Sequence, residues 1–109
     1  MTLREILEKC ASLSIYEKRD TSDEYSEVVF FNKELIEWSK VLSENLGPAS
    51  KPAGTKPSKD DLHLTKEYGG IFANQTLFKK EFDNATIIAM LWPWSDEEHT
   101  TLKMAILRK

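Results

Sequence analysis

Leu3, Ile6, Leu7, Cys10 and Leu13 recur at spacings of three and four, with Tyr16 at the limit of the series, which predicts a helix over residues 2–16. Thr2 and Glu5 stand at capping-box spacing and mark its start. From Glu17 to Glu27 five acidic residues stand against two basic ones, and the run Asp20-Thr21-Ser22-Asp23 favours turns, so the first helix is expected to end before this stretch.

Val28-Val29-Phe30-Phe31 admits two readings. Its β-branched and aromatic character, ending at the good N-cap Asn32, describes a strand followed by a helix over Lys33 to Leu46. Tyr25, Val28, Leu35, Trp38, Leu42 and Leu46 also fit the spacing of one long helix starting near Thr21 and Glu24. Beyond Lys33 the readings agree: Leu35, Ile36, Trp38, Val41 and Leu42 form the expected buried stripe, and Leu46-Gly47-Pro48 ends it.

Residues 47–70 hold all four glycines and three of the four prolines, with Lys51, Lys56, Lys59 and Lys66 among them. Connections usually run about 4–6 residues, so so long a Gly/Pro/Lys-rich loop calls for a functional reason. Its first half offers little to bury and is expected to be extended or mobile; Leu62, Leu64, Tyr68 and Ile71 are expected to anchor the second half. Thr76–Phe82 and Ala85–Trp92 then flank the turn residues Asp83-Asn84, and Leu102, Met104 and Ile106 alternate with Thr101, Lys103 and Ala105. Those patterns predict antiparallel strands, the second nearly all apolar and covered on both faces.

The expected architecture is one α+β domain over residues 1–109. Two helices pack on one face of a three- or four-stranded, mostly antiparallel sheet ending in a C-terminal β-hairpin. A 109-residue chain with net charge −3 and 40% hydrophobic residues suits a single core. The apolar run Ala85–Trp94 is about half the roughly 20 residues of a membrane span, and the N-terminal residues lack a secretory h-region, so a cytoplasmic protein off the membrane is expected. The lone Cys10 forms no internal disulfide and fits that compartment. A net acidic chain without a basic, aromatic-interleaved stripe argues against nucleic-acid binding.

Candidate chemistry concentrates in Trp92-Pro93-Trp94, followed by Asp96 and His99. Two tryptophans at i and i+2 share one side of a strand, and Pro93 stiffens the backbone between them. The rings either cap the core or form a displayed aromatic wall, and Trp92, Trp94, Asp96, His99 and Tyr68 make up the candidate binding set. Asp60-Asp61-x-His63 and Asp96-x-x-His99 lack the second histidine or cysteine pair of a ligand frame, so neither metal nor cofactor is expected. Gly54-Thr55-Lys56-Pro57 lacks the second glycine and the helix start of a phosphate loop. Cys10, on an apolar face, has no visible activating neighbour.

These readings favour a non-enzymatic binding or protein-interaction module that uses the Trp92/Trp94 hairpin end and the 47–70 loop. The partner is a protein or small molecule, and a homodimer is among the allowed assemblies. The alternative is a small enzyme or ligand-binding protein, with the 47–70 loop as a lid over a pocket of His99, Asp96 and Trp94.

Overall fold

The computed structural model describes residues 2–108 and has α+β architecture. Helix α1 (Leu3–Lys9) opens with the Glu5 amide donating to the Thr2 hydroxyl at 3.1 Å, then stops well short of the predicted Tyr16. Tertiary pairing accounts for the early stop. The Ser14 amide donates to Glu34 Oε1 at 3.1 Å and the Tyr16 amide to the Val29 carbonyl at 2.7 Å, drawing the chain out of the helix and into a sheet. The expected turn region becomes strand β1 (Glu17–Thr21), which pairs antiparallel with β2 (Tyr25–Phe31) across an irregularity between Lys18 and Asp20. Strand, rather than long helix, is therefore the state of residues 25–31.

A 3₁₀ turn over Asn32–Glu34 leads into α2 (Leu35–Leu46). Asn32 does not cap this helix; its Oδ1 accepts the Thr100 hydroxyl at 2.6 Å. Trp38, Leu42 and Leu46 are buried, but Ile36 is 80% exposed, which corrects the expected stripe: two residues along a helix rotate a side chain by about 200° from Trp38. Gly47, at φ +84°, closes the last turn by donating to the Ser43 carbonyl at 2.9 Å.

Three more strands complete the sheet, β3 (Thr76–Phe82), β4 (Ala85–Pro93) and β5 (His99–Arg108), in the antiparallel order β1-β2-β5-β4-β3. Five strands thus replace the expected three or four. On one face Leu3, Ile6, Trp38, Leu42 and Leu46 from α1 and α2 pack on Val28, Phe30, Phe78, Ile87, Leu102 and Met104, with Trp38 stacked on Phe30 at 4.8 Å. On the other face Ile71, Leu77, Ile88, Met90 and Ala105 form a second cluster, with Leu64, Tyr68 and Trp92 against it. Ala85 to Leu91 are all buried, as expected of a strand covered on both sides.

The 47–70 segment is built rather than loose. Lys51 bridges to Leu77 on the β3 edge with backbone bonds of 3.2 and 3.0 Å. Its ammonium, in a residue only 2% exposed, donates to the carbonyls of Pro52, Ala73 and Gln75 at 3.3, 3.1 and 2.5 Å. Burial lowers the Lys51 pKa, against a smaller opposing pull from Asp61. The segment also holds a third helix, α3 (Lys59–Thr65), whose cap is reciprocal: the Asp61 amide donates to Ser58 Oγ and the Ser58 amide to Asp61 Oδ2. Among the described residues no helix is long and apolar enough to cross a membrane.

Candidate functional site

The β4–β5 connection sets the site. The Trp94 amide donates to the His99 carbonyl at 2.9 Å, and Glu97 takes the left-handed conformation at φ +62°. Asp96 folds the turn: its Oδ1 accepts the Glu98 and His99 amides at 2.9 and 3.1 Å, and its Oδ2 lies 2.5 Å from His99 Nδ1. The Glu98 amide first, then His99, hold the Asp96 carboxyl below the usual carboxylate range. A carboxylate only accepts, so Nδ1 carries the proton of that pair.

Phe31 pairs directly with His99 in the β2–β5 register, which puts both side chains on the face opposite α1 and α2. The His99 side chain, 12% exposed, lies against Tyr16 at 4.3 Å, Trp94 at 4.9 Å and Phe31 at 5.1 Å between ring centroids. Its Nε2 is buried and has no hydrogen-bond partner. Both nitrogens are therefore withdrawn from a substrate, one by Asp96 and one by the rings. A general base needs one of them within reach of the proton it takes.

Tyr16 is the exposed member at 50%, edge-on to Phe31 and Trp94. The Trp94 indole N–H donates to the Thr101 hydroxyl at 2.8 Å, fixing the ring, and the Arg19 guanidinium sits 5.4 Å from its centroid. Arg19 is itself held by Glu17 at 2.5 Å and Glu27 at 3.5 Å.

Trp92 and Tyr68 belong to an adjoining group on the same face. Lys103 Nζ lies 3.6 Å from the Trp92 ring centroid and donates to the Tyr68 carbonyl at 3.2 Å. Tyr68 stacks on Tyr25 at 5.4 Å, and the Tyr25 hydroxyl donates to Glu27 at 2.6 Å. Burial, then Glu27, pushes the Tyr25 phenol above its ordinary pKa. Glu27 thus joins the two groups, since it also pairs with Arg19.

Of the expected binding set, Trp94, Asp96 and His99 meet in one cluster, and Trp92 and Tyr68 meet in the next. The 47–70 segment reaches the site through Tyr68 and Gly69, against Lys103 and Trp92, while the rings around His99 come from Tyr16, Phe31 and Trp94. Sequence reasoning missed Tyr16, Phe31 and Arg19. The available signal was period-two alternation, which puts Val29 and Phe31 on the face opposite Val28 and Phe30. Among the described residues, Asp96, Glu98 and His99 bring three donor atoms within 4.8 Å of one another, the carboxylates exposed, and could hold a cation. Asp96 Oδ2 and His99 Nδ1 are also engaged with each other.

Gly69, at φ +96°, passes so close under Trp92 that a Cβ would stand 2.6 Å from Cη2 of the indole. Gly69→Ala is expected to cost about 1–3 kcal/mol through this clash and the strained φ, and to displace the Trp92 ring. Denaturant titration with a near-UV spectrum tests this; an unchanged midpoint and spectrum would show that the close approach is unimportant. Compared with known protein families, curated proteins and solved structures, the chain matches none.

Proposed function

We propose that this protein is a non-enzymatic interaction module whose contact surface centres on Tyr16, Trp94 and Arg19, with Trp92 and Tyr68 as its far flank. The observation that carries this reading is the exposed Tyr16 ring beside a Trp94 indole pinned by Thr101 and faced by Arg19. Tyrosine, tryptophan and arginine are the side chains that dominate interface energetics, because rigid aromatic area binds with little entropy loss. Here the Trp94 ring is held by Thr101 before any partner arrives.

The rim sets the kind of partner. In the turn beside the cluster Glu97, Glu98 and the Asp96 carboxylate are exposed, against one rim cation, Lys33, 5.5 Å from the Phe31 ring centroid. Two copies meeting here would bring like charges together, whereas a protein with a lysine- or arginine-bearing rim gains in encounter rate and register. The enclosed His99 nitrogens favour binding over catalysis at this surface.

The test is affinity capture from the native host on immobilised protein. A partner retained by the wild type is expected to lose at least about 2 kcal/mol of affinity, roughly thirtyfold, with Tyr16→Ala and Trp94→Ala combined. It should elute at raised salt and stay bound to Ile36→Asp, which alters the exposed side of α2. Equal retention by the double variant would refute the assignment. A partner lost only with Ile36→Asp would move the contact surface to α2.

A further inference from the structure

The helix-side face of the sheet carries a second, independent feature. Because α1 ends at Lys9, the chain from Cys10 to Tyr16 swings away and leaves a cleft of about 460 Å³ between α1 and the β1–β2 pair, within the size range of small-molecule sites. Its walls are the partly buried Leu7, Leu13 and Ile15. Ser26 lines it too. This residue is 2% exposed, and its hydroxyl oxygen is buried without a hydrogen-bond partner, so Ser26 forms the floor of the cleft rather than a polar contact within it.

Charge at the cleft is asymmetric. The side chain of Lys18, whose β1 position pairs with the buried Val28 of the helix-side face, makes no hydrogen bond or ion pair among the described residues. Arg4 is tied only loosely, to Asp23 at 3.5 Å with both side chains mostly exposed. Against these two cations stand Glu8 in the lining and the Asp23 that pairs with Arg4, so Lys18 is the unmatched charge. Apolar walls beside an unspent cation are what a molecule with a hydrocarbon body and an anionic head would satisfy. We infer that the cleft is a binding site for a small free amphipathic carboxylate of the medium-chain fatty acid type, its chain against Leu7, Leu13 and Ile15 and its head at Lys18 and Arg4.

The site binds without reacting. Cys10 also lines the cleft, but burial pushes its thiol up to about 11, so it is protonated at neutral pH and does not attack the bound acid.

The experiment titrates the full chain with decanoate, octanoate and decylamine, following the methyl resonances of Leu7, Leu13 and Ile15. Decanoate is expected to shift these methyls saturably, octanoate to bind about tenfold more weakly for its two fewer methylenes, and decylamine about fivefold more weakly than decanoate. Lys18→Glu, an exposed substitution that leaves the core intact, is expected to reverse the order of decanoate and decylamine. Ser26→Val serves as the second variant: it fills the floor and should weaken decanoate while leaving the fold stable. Non-saturating shifts, shifts centred elsewhere, equal affinity for the acid and the amine, or no effect of Lys18→Glu would each overturn the assignment.

Discussion

Trp38→Ala is expected to remove about 3–5 kcal/mol of stability, a large part of the roughly 5–15 kcal/mol that holds a domain of this size together. Trp38 is fully buried on α2 and stacks nearly parallel to Phe30, at an interplanar angle of 10°, where α2 meets the sheet. Alanine leaves a cavity that Leu42 and Phe30 cannot fill without moving the helix. Trp38→Phe separates volume from polarity. The Trp38 indole N–H is buried and has no partner, so phenylalanine removes an unmet donor while keeping much of the ring. Its expected cost is below about 2 kcal/mol. Urea titrations of both variants check this: a midpoint for Trp38→Ala close to that of the wild type would show that α2 is not anchored through this ring.

Lys51→Met is the second large effect, expected to cost about 2–4 kcal/mol. The thioether chain fills similar space but donates nothing, so the carbonyls of Pro52, Ala73 and Gln75 lose their common donor inside the fold. Those carbonyls belong to the two ends of the segment that carries α3 and Gly69 across to Trp92. Hydrogen exchange should therefore accelerate in α3 and at the Lys51–Leu77 bridge more than in β4 and β5. Uniform acceleration, or none, would show that Lys51 does not hold the segment locally.

The sequence patterns that proved readable are those whose burial is decided locally. The alternation of Leu102, Met104 and Ile106 with Thr101, Lys103 and Ala105 places β5, and the nearly all-apolar run from Ala85 places β4, both where expected. Patterns overridden by distant pairing were not readable. Leu13 continues a helical series, yet the chain around it is taken up by Glu34 and Val29. The charged run Glu17–Thr21 looks like a turn because an edge strand with solvent beside it needs no apolar residues, and charge there discourages unwanted pairing. The seven residues of α3 are hidden in a proline-rich stretch because Asp61, rather than the more usual glutamate or glutamine, completes the box with Ser58.

At the surface, the shared side of Trp92 and Trp94 followed from spacing alone, whereas Asp96-x-x-His99 read only as an incomplete ligand frame and not as the hydrogen-bonded pair it forms. Tyr16, Phe31 and Arg19 did not follow from spacing, since each reaches the cluster from a different strand or from the chain just before one. Lys51 shows the same limit. A lysine between serine and proline reads as solvated until the fold closes three carbonyls around it.

The most direct test of the interaction surface is site-specific photo-crosslinking in the native host, with p-benzoylphenylalanine replacing Tyr16 and, as control, Ile36. Both positions are exposed, at 50% and 80%; Tyr16 packs on the rings of the face opposite the helices, whereas Ile36 lies on α2, which covers the other face of the sheet. A discrete crosslinked species from position 16, missing from position 36 and diminished by Trp94→Ala, is the expected result. No adduct from position 16, or the same adduct from both positions, would contradict the assignment of this face as the contact surface.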